Sequence, residues 1–423
     1  YDGVIHIYNA DGSERINSNF PFDTGGQIWG SAVAGDMDGD DLIDFAIPSK
    51  SKHLYIFDVN GLKLDYETEV YLIGTPAMGN LDGDSNLEIV FSGYSSNNKL
   101  FAINVDGSDV SGFPIELGEK AKAGPALADF NNNDRDDIVL GTDDNHIYLI
   151  LDDGSTATGF PFVTGDKIQT APSIIEIGGE KTIFAGSNDD YLYAVNSDGS
   201  LQFSFMSEAK IQASPSFLEI NGEAAIFFGN NDGYIHGLDM NGTPLPGWPV
   251  VMNGDIEGSV VFSDLDGDGE AEIVAASNTG ELGAFFLDGS TYPYFPILNG
   301  SPYKGSALII DLDNDDDLEI MGGSVNNLEV IDVKENGSSA NYWHIFRGNN
   351  LRNGFAVLGD SECGADLGDV NGDNEINILD LVQVANLILE VSIPDFECAA
   401  DYTQDGEVNI LDLVQIVNLI LDN

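Results

Sequence analysis

The sequence predicts a mainly β protein, a seven-bladed (alternatively eight-bladed) β-propeller followed by a small α-helical domain. Three observations predict it. A unit reading small-apolar, Asp-x-Asp-Gly-Asp, apolar run, Gly returns seven times, with its first acidic-loop position at 36, 80, 129, 176, 219, 264 and 311. The intervals of 43 to 49 residues suit one four-stranded blade each. Each unit leads to an alternating, aromatic-rich strand that most often ends in Asp-Gly or Asn-Gly, as in HLYIFDVNG, KLFAINVDG and YLYAVNSDG. That pattern signals a hairpin. Composition then changes near Gly359, and the stretches 376–389 and 408–421, both helical in pattern, agree at 11 of 14 positions. The expected domains are 1–358 and 359–423.

The chain opens at Tyr1 inside a strand-like pattern, which reads as a mature or cropped chain. VIHIYNADG and Phe20-Pro21 form the second half of a blade. This half either completes a ring of seven or is the remnant of an eighth blade; seven is preferred. Phe113-Pro114, Phe160-Pro161, Trp248-Pro249 and Phe295-Pro296 close later units, where proline suits an outer edge strand. Two units are degenerate. From Glu176 to Ile183 and from Glu219 to Ile226 the loop is two residues shorter, and Gly178-Gly179 and Asn221-Gly222 suit a tight hairpin. The last unit ends in NYWHIFRGNNLRNG, whose Trp343 and Arg347 break the repeat, as a terminal cap should.

The chain carries 72 acidic and 15 basic residues, a net charge of −57. Hydrophobic residues at 42% argue against disorder. So few cations nearly exclude binding to nucleic acid through phosphates and disfavour anionic membranes. No apolar run reaches the length of a membrane span. A chain this acidic must hold cations, face a salty medium, or both.

The acidity is patterned. Positions 1, 3, 5 and 9 of five loops carry Asp36, Asp38, Asp40 and Asp44; Asn80, Asp82, Asp84 and Glu88; Asp129, Asn131, Asn133 and Asp137; Asp264, Asp266, Asp268 and Glu272; and Asp311, Asp313, Asp315 and Glu319. Position 7, occupied by Leu42, Asn86, Arg135, Glu270 and Asp317, completes each candidate set. Carboxylates at this density repel one another unless a cation sits between them. The pattern resembles the FG-GAP or VCBS repeat of integrin α-chain propellers and many secreted bacterial proteins. The resemblance covers roughly residues 1–355 and implies Ca²⁺ bound in each loop in a structural role. The degenerate loops imply that a blade closes with or without the metal.

The C-terminal duplication places oxygen side chains at positions 1, 3, 5, 9 and 12 of two loops. These are Asp369, Asn371, Asp373, Asn377 and Asp380, then Asp401, Thr403, Asp405, Asn409 and Asp412. Glu375 and Glu407 at position 7 would add main-chain carbonyls. This is an EF-hand-type loop with Asp at position 12. Loop followed by exiting helix, duplicated, resembles the dockerin type I module over residues 363–423. The resemblance implies two Ca²⁺ ions that fold the module and docking onto a cohesin domain. Between Ile378 and Leu389 only Asp380, Gln383 and Asn386 are polar. So much apolar surface predicts burial of Leu381, Val384, Leu387 and Ile388 beyond the module's own core, against the propeller, a cohesin-like domain or another copy of the chain. Cys363 and Cys398 are expected to form a disulfide in an oxidising compartment.

No catalytic constellation stands outside the repeat, so an enzyme is the less favoured reading. His6, His53, His146 and His236 occupy repeat positions, and His344 lies in the cap. A site for anionic polysaccharide would need a basic cluster, and none is visible along the sequence. The expected function is a secreted or surface-bound, calcium-binding adhesion or scaffold protein, bacterial and from a saline setting. Its dockerin-like module would mediate assembly, with self-assembly into a layer or filament as one form. The alternative is a carbohydrate-binding or polysaccharide-degrading propeller tethered through that module. The five propeller loops hold 17 side-chain carboxylates and the C-terminal pair 6. Seven bound Ca²⁺ would leave a net charge of −43.

Overall fold

Short alternating strands separated by tight turns pair locally, and seven antiparallel sheets follow one another in chain order. They are seen in a computed structural model that describes residues 3–40, 42–95, 98–315, 317–358, 367–371, 376–389, 397–400, 402 and 408–422. Two compact units result, Tyr1–Ala356 and Val357–Asn423. Blade 1 comprises Val33–Gly35, Asp44–Ser49, His53–Asp58 and Gly61–Glu67, each strand paired with the next. Blades 2 to 6 repeat this order over 77–116, 126–163, 173–206, 216–251 and 261–298. Blade 7 has three strands, Leu308–Ile310, Asp317–Gly323 and Leu328–Asn336.

The third-to-fourth turns are held by their own aspartates. Asp106, Asp153, Asp198 and Asp288 each accept the N–H of a serine two residues on at 2.8–2.9 Å. The Phe/Trp-Pro pairs lie directly before the outermost strand. Where Pro is present that strand has two residues; in blades 1 and 4, without it, it has seven and six. The missing proline N–H accounts for the shortening. Neighbouring turns approach closely at the rim. A Cβ on Gly247, at φ 87°, would lie 1.9 Å from the Asp288 carbonyl oxygen of the next blade, so only glycine fits.

The cores lie between blades. Met37, Leu54 and Ile56 of blade 1 pack with Met78, Phe91 and Phe101 of blade 2. Leu127 and Ile138 of blade 3 pack with Val90 and Leu100 of blade 2. One sheet cannot bury both faces alone, so each blade depends on its neighbours.

The N-terminal half-blade is a separate hairpin, Val4–Ile5 with Phe22–Asp23. Ile5 and Phe20 pack on Ile47, Tyr55 and Phe57 of blade 1. It does not supply the missing half of blade 7, whose third position is filled by Leu328–Asn336. Seven sheets thus form full or nearly full blades, and the hairpin is a separate two-stranded sheet packed on blade 1.

The segment 341–354 does more than cap the last blade. Six of the seven innermost strands donate the N–H of their second residue to carbonyls of this segment. Phe262 and Ile309 of blades 6 and 7 donate to the carbonyls of Trp343 and His344 at 3.0 and 2.9 Å. Ala34, Met78, Leu127 and Ile174 of blades 1 to 4 donate to Asn350, Leu351, Asn353 and Gly354 at 2.8–3.0 Å. Blade 5 meets the segment through the edge-to-face pair of Phe217 and Trp343, 5.5 Å between centroids. The chain therefore runs round the inner edges in blade order and ties the ring together, and Phe355–Val357 then pairs beside the inner strand of blade 4. Arg347, fully buried, donates to the carbonyls of Arg352 at 2.6 Å, Asn353 at 3.2 Å and Pro125. Arg352 donates to Ala32 and Phe346 carbonyls at 3.1 and 2.7 Å.

His236 lies buried among Phe205, Phe228 and Tyr234, its ring stacked 5.0 Å from that of Phe228. Burial lowers its pKa to about 4, so it is neutral near pH 7. It is a core side chain.

Candidate metal centres

The acidic loops join the first and second strands of their blades. In blade 6, oxygens of Asp264, Asp266 and Glu272 lie within 4.8 Å of one another. The Asp264 carboxylate accepts the N–H groups of Gly267 and Gly269 at 2.6 and 3.0 Å, which folds the loop around it. Glu272, at the start of the second strand, accepts the Leu265 N–H at 2.7 Å. Burial, with Asp266 and Asp268 adding repulsion, pushes Glu272 up to about 8. Blade 2 repeats this with Asp82, Asp84 and Glu88. Leu81 N–H donates to Glu88 at 2.6 Å, and burial raises Glu88 to about 7. Blade 7 gathers Asp311, Asp313 and Asp315, and also Asp315, Asp317 and Glu319. Leu312 N–H donates to Glu319 at 2.6 Å.

Blades 1 and 3 differ. In blade 1 Asp36, Asp38 and Asp40 converge. Lys63, from the fourth strand, reaches Asp38 at 2.9 Å and the buried Asp44 at 2.8 Å, placing an ammonium against two of the sequence-assigned ligands. In blade 3 no three carboxylates converge among the described residues. Asn131 donates its side-chain amide to Asp137 at 3.4 Å, and Arg135 and Asn133 reach Asp152 at 3.4 and 3.3 Å. Burial raises Asp137 to about 6. Lys63 and Asp152 carry no motif, and only their nearness in space reveals their part.

Four loops contain a buried carboxylate oxygen with no hydrogen-bond partner among the described residues: Asp38 Oδ1, Glu88 Oε1, Asp266 Oδ1 and Asp317 Oδ1. All groups of three or more potential ligands among the described residues lie in these loops. An orphaned, desolvated carboxylate oxygen beside further carboxylates fits a hard divalent cation. The loops also join blades. Leu87 N–H donates to the Met37 carbonyl at 3.0 Å and Asp136 N–H to the Asn80 carbonyl at 2.7 Å, each from one blade to the preceding loop. The shortened loops of blades 4 and 5 are two-residue hairpins, Ile177 facing Glu180 and Ile220 facing Glu223. Their Gly178, Gly179, Asn221 and Gly222 all have positive φ.

In the C-terminal unit, α1 (Ile378–Ile388) and α2 (Ile410–Asp422) follow the two loops. Asn377 caps α1, accepting the Leu379 N–H at 2.8 Å. The buried Asp380 accepts the N–H groups of Asn377 at 2.9 Å and Asn371 at 3.3 Å, so it joins the loop to the helix start. Asp412 accepts the Asn409 N–H in the same way at 2.8 Å. Asp369 is also buried. Asp373, Glu375, Asp401, Thr403, Asp405 and Glu407 lie outside the described residues, as does the pairing of Cys363 with Cys398.

Residues 367–421 match the family model of the dockerin type I domain. The chain carries a dockerin there. Dockerins bind Ca²⁺ and assemble with cohesin partners, so this region has a role in protein–protein assembly. Val384 is buried against Ile416, Val370 and Ala399, while Leu381, Leu387 and Ile388 pack on that core and stay partly exposed, so the module covers only part of this apolar face itself. The exposed apolar set is Ile378, Leu379, Val382 and Leu389 on α1 with Ile410 and Val414 on α2.

No curated protein matches the chain. Among solved structures, the computationally designed Ika8 protein is similar at a TM-score of 0.56 and 12% identity, over 78% of this chain and 90% of that one. BBS1N, solved in complex with ARL6DN, is similar at 0.52 and 12%, over 74% of this chain and 94% of that one. These likenesses bear on the propeller fold alone. No helix among the described residues is long and apolar enough to cross a membrane.

Proposed function

We propose that the protein is a secreted, calcium-stapled propeller that its dockerin attaches to a cohesin-type partner. The propeller acts as an adhesion or scaffold element outside a bacterial cell in a saline medium. The exposed apolar set on the dockerin carries this reading. Ile378 and Ile410, and Val382 and Val414, are equivalent positions of the duplication, and all four are exposed while the equivalent pair Val384 and Ile416 is buried. Such a duplicated apolar face is a docking surface. Calcium at the blade loops is supported by the four orphaned oxygens, and these loops are read as FG-GAP or VCBS type. The strong acidity of the remaining surface suits a medium where salt screens it.

The test compares the full chain with a chain ended at Leu358, both in calcium, for capture of purified type I cohesin domains and for size by light scattering. The full chain is expected to bind a cohesin and the shortened chain to stay folded without binding. Self-association of the full chain with no cohesin bound would make the partner a second copy. Binding that survives truncation would contradict the proposal.

A further inference from the structure

Antiparallel alternation gives the propeller two chemically different faces. The first-to-second loops, with their carboxylates, and the Asp-Gly turns lie on one face. The second-to-third turns and the blade-to-blade connections lie on the other. Lys50 and Lys52 stand in such a turn of blade 1, and Lys120, Lys122, Lys167, Lys210 and Lys304 stand in connections, so seven of eleven lysines share this second face. Lys50, Lys52 and Lys120 have no carboxylate partner among the described residues, although acids outnumber bases 72 to 15.

Each of the three sits over an aromatic ring instead. Lys50 Nζ is 4.4 Å from the Trp29 ring centre, Lys52 Nζ 5.6 Å from Tyr71 and Lys120 Nζ 5.3 Å from Tyr94. Trp29, Tyr71 and Tyr94 line one open cavity of about 490 Å³ between blades 1 and 2, with Gln27, Lys50 and Ile73. Its parts are fixed by the backbone. Lys50 N–H donates to the Gln27 carbonyl at 2.9 Å, and Tyr94 N–H to the Tyr71 carbonyl at 2.8 Å. Lys50 Nζ also donates to Gln27 Oε1 at 2.9 Å. Trp29 and Tyr71 are half exposed, at 50% and 47%. Trp29 and Ile73 continue into a polar hollow at the inner edges, lined by Lys122, Gln169, Gln212 and Glu257. The acids around the cleft and its hollow include Glu69, Glu119, Asp143 and Glu257, of which Asp143 pairs with Lys167 at 3.5 Å and Glu257 with Lys304 at 3.6 Å.

We propose that this cleft binds an acidic saccharide, a chain containing uronic acid. Half-exposed aromatic faces suit the flat C–H face of a pyranose ring. Ammonium groups beside them suit its carboxylate, and Gln27 suits its hydroxyls. Lys50 and Lys52 would turn from the rings to the carboxylate as the sugar takes their place. The charge of the rest of the chain opposes a polyanion only at long range, which salt screens within about 8 Å at physiological ionic strength. A neutral saccharide would need no such lysines. This site is independent of the dockerin and stands or falls apart from it.

The test is calorimetry of the full chain in calcium with short oligogalacturonate, oligomannuronate and hyaluronate fragments, each paired with its carboxyl-reduced counterpart. At least one acidic fragment is expected to bind, at least tenfold more tightly than its reduced form. Trp29→Ala and the double change Lys50→Met with Lys52→Met are each expected to weaken it tenfold or more, with Tm unchanged. Lys334→Met, on blade 7, is expected to change nothing. Absence of binding by all fragments, equal binding of a reduced form, or unchanged binding by both cleft variants would overturn the proposal.

Discussion

Chelation of calcium with EDTA is expected to lower the main unfolding temperature by about 10 °C or more, and to unfold the dockerin before the propeller. A site held at a thousandfold excess of ligand over Kd contributes about 4 kcal/mol to the folded state. In a domain of this size each kcal/mol moves Tm by roughly 2 °C. The loops of blades 2, 6 and 7 each gather carboxylates around a buried oxygen that has no partner. Without the cation, burial and mutual repulsion act on Glu88 and Glu272, offset only in part by the N–H groups of Leu81 and Leu265. Because Leu87 and Asp136 bond to the neighbouring loops, a loosened loop also weakens the join between blades. The dockerin melts first because its core is small and two loops hold it. Calorimetry with and without EDTA measures both effects. An unchanged trace would refute the calcium assignment.

Arg347→Ala is expected to cost roughly 3–5 kcal/mol, seen as a fall of about 5–10 °C in the Tm of the propeller. Among the described residues the guanidinium has no carboxylate partner. It donates to three main-chain carbonyls, from Arg352, Asn353 and Pro125 of blade 3. Removal leaves those acceptors buried and unpaired and opens a cavity where the side chain was. The segment that carries Arg347 also accepts the inner N–H groups of six blades, so damage there reaches the whole ring. Arg135→Ala, on the exposed loop of blade 3, is expected to change Tm by less than about 1 °C. Equal effects from the two changes would contradict this account of the central segment.

The repeats made the blades legible because their signals are local. An Asp-Gly turn, a five-oxygen loop and a proline before an edge strand each act within about ten residues. The two-residue hairpins of blades 4 and 5 could be read from Gly178-Gly179 and Asn221-Gly222 for the same reason. What stayed hidden is set by residues distant in sequence. Trp343 and Arg347 marked a break in the repeat, but not that carbonyls from 343 to 354 would meet six inner strands. Lys63 lies 19 residues from Asp44 and carries no motif, yet it contacts that carboxylate. The lysine-aromatic cleft draws Trp29, Lys50, Tyr71 and Tyr94 from separate connections, so no basic cluster shows along the chain. In the dockerin, the cover of Val384 comes from Ile416 of the duplicate helix, a contact that pattern along one helix cannot show.

The most direct measurement of the central claim is the number of calcium ions bound per full-length chain, by equilibrium dialysis at micromolar free calcium. The loops of blades 2, 6 and 7 and the two dockerin loops predict at least about five, and the double change Asp266→Asn with Glu272→Gln should remove one. Two ions or fewer, with no change in that variant, would confine calcium to the dockerin and contradict a calcium-stapled propeller.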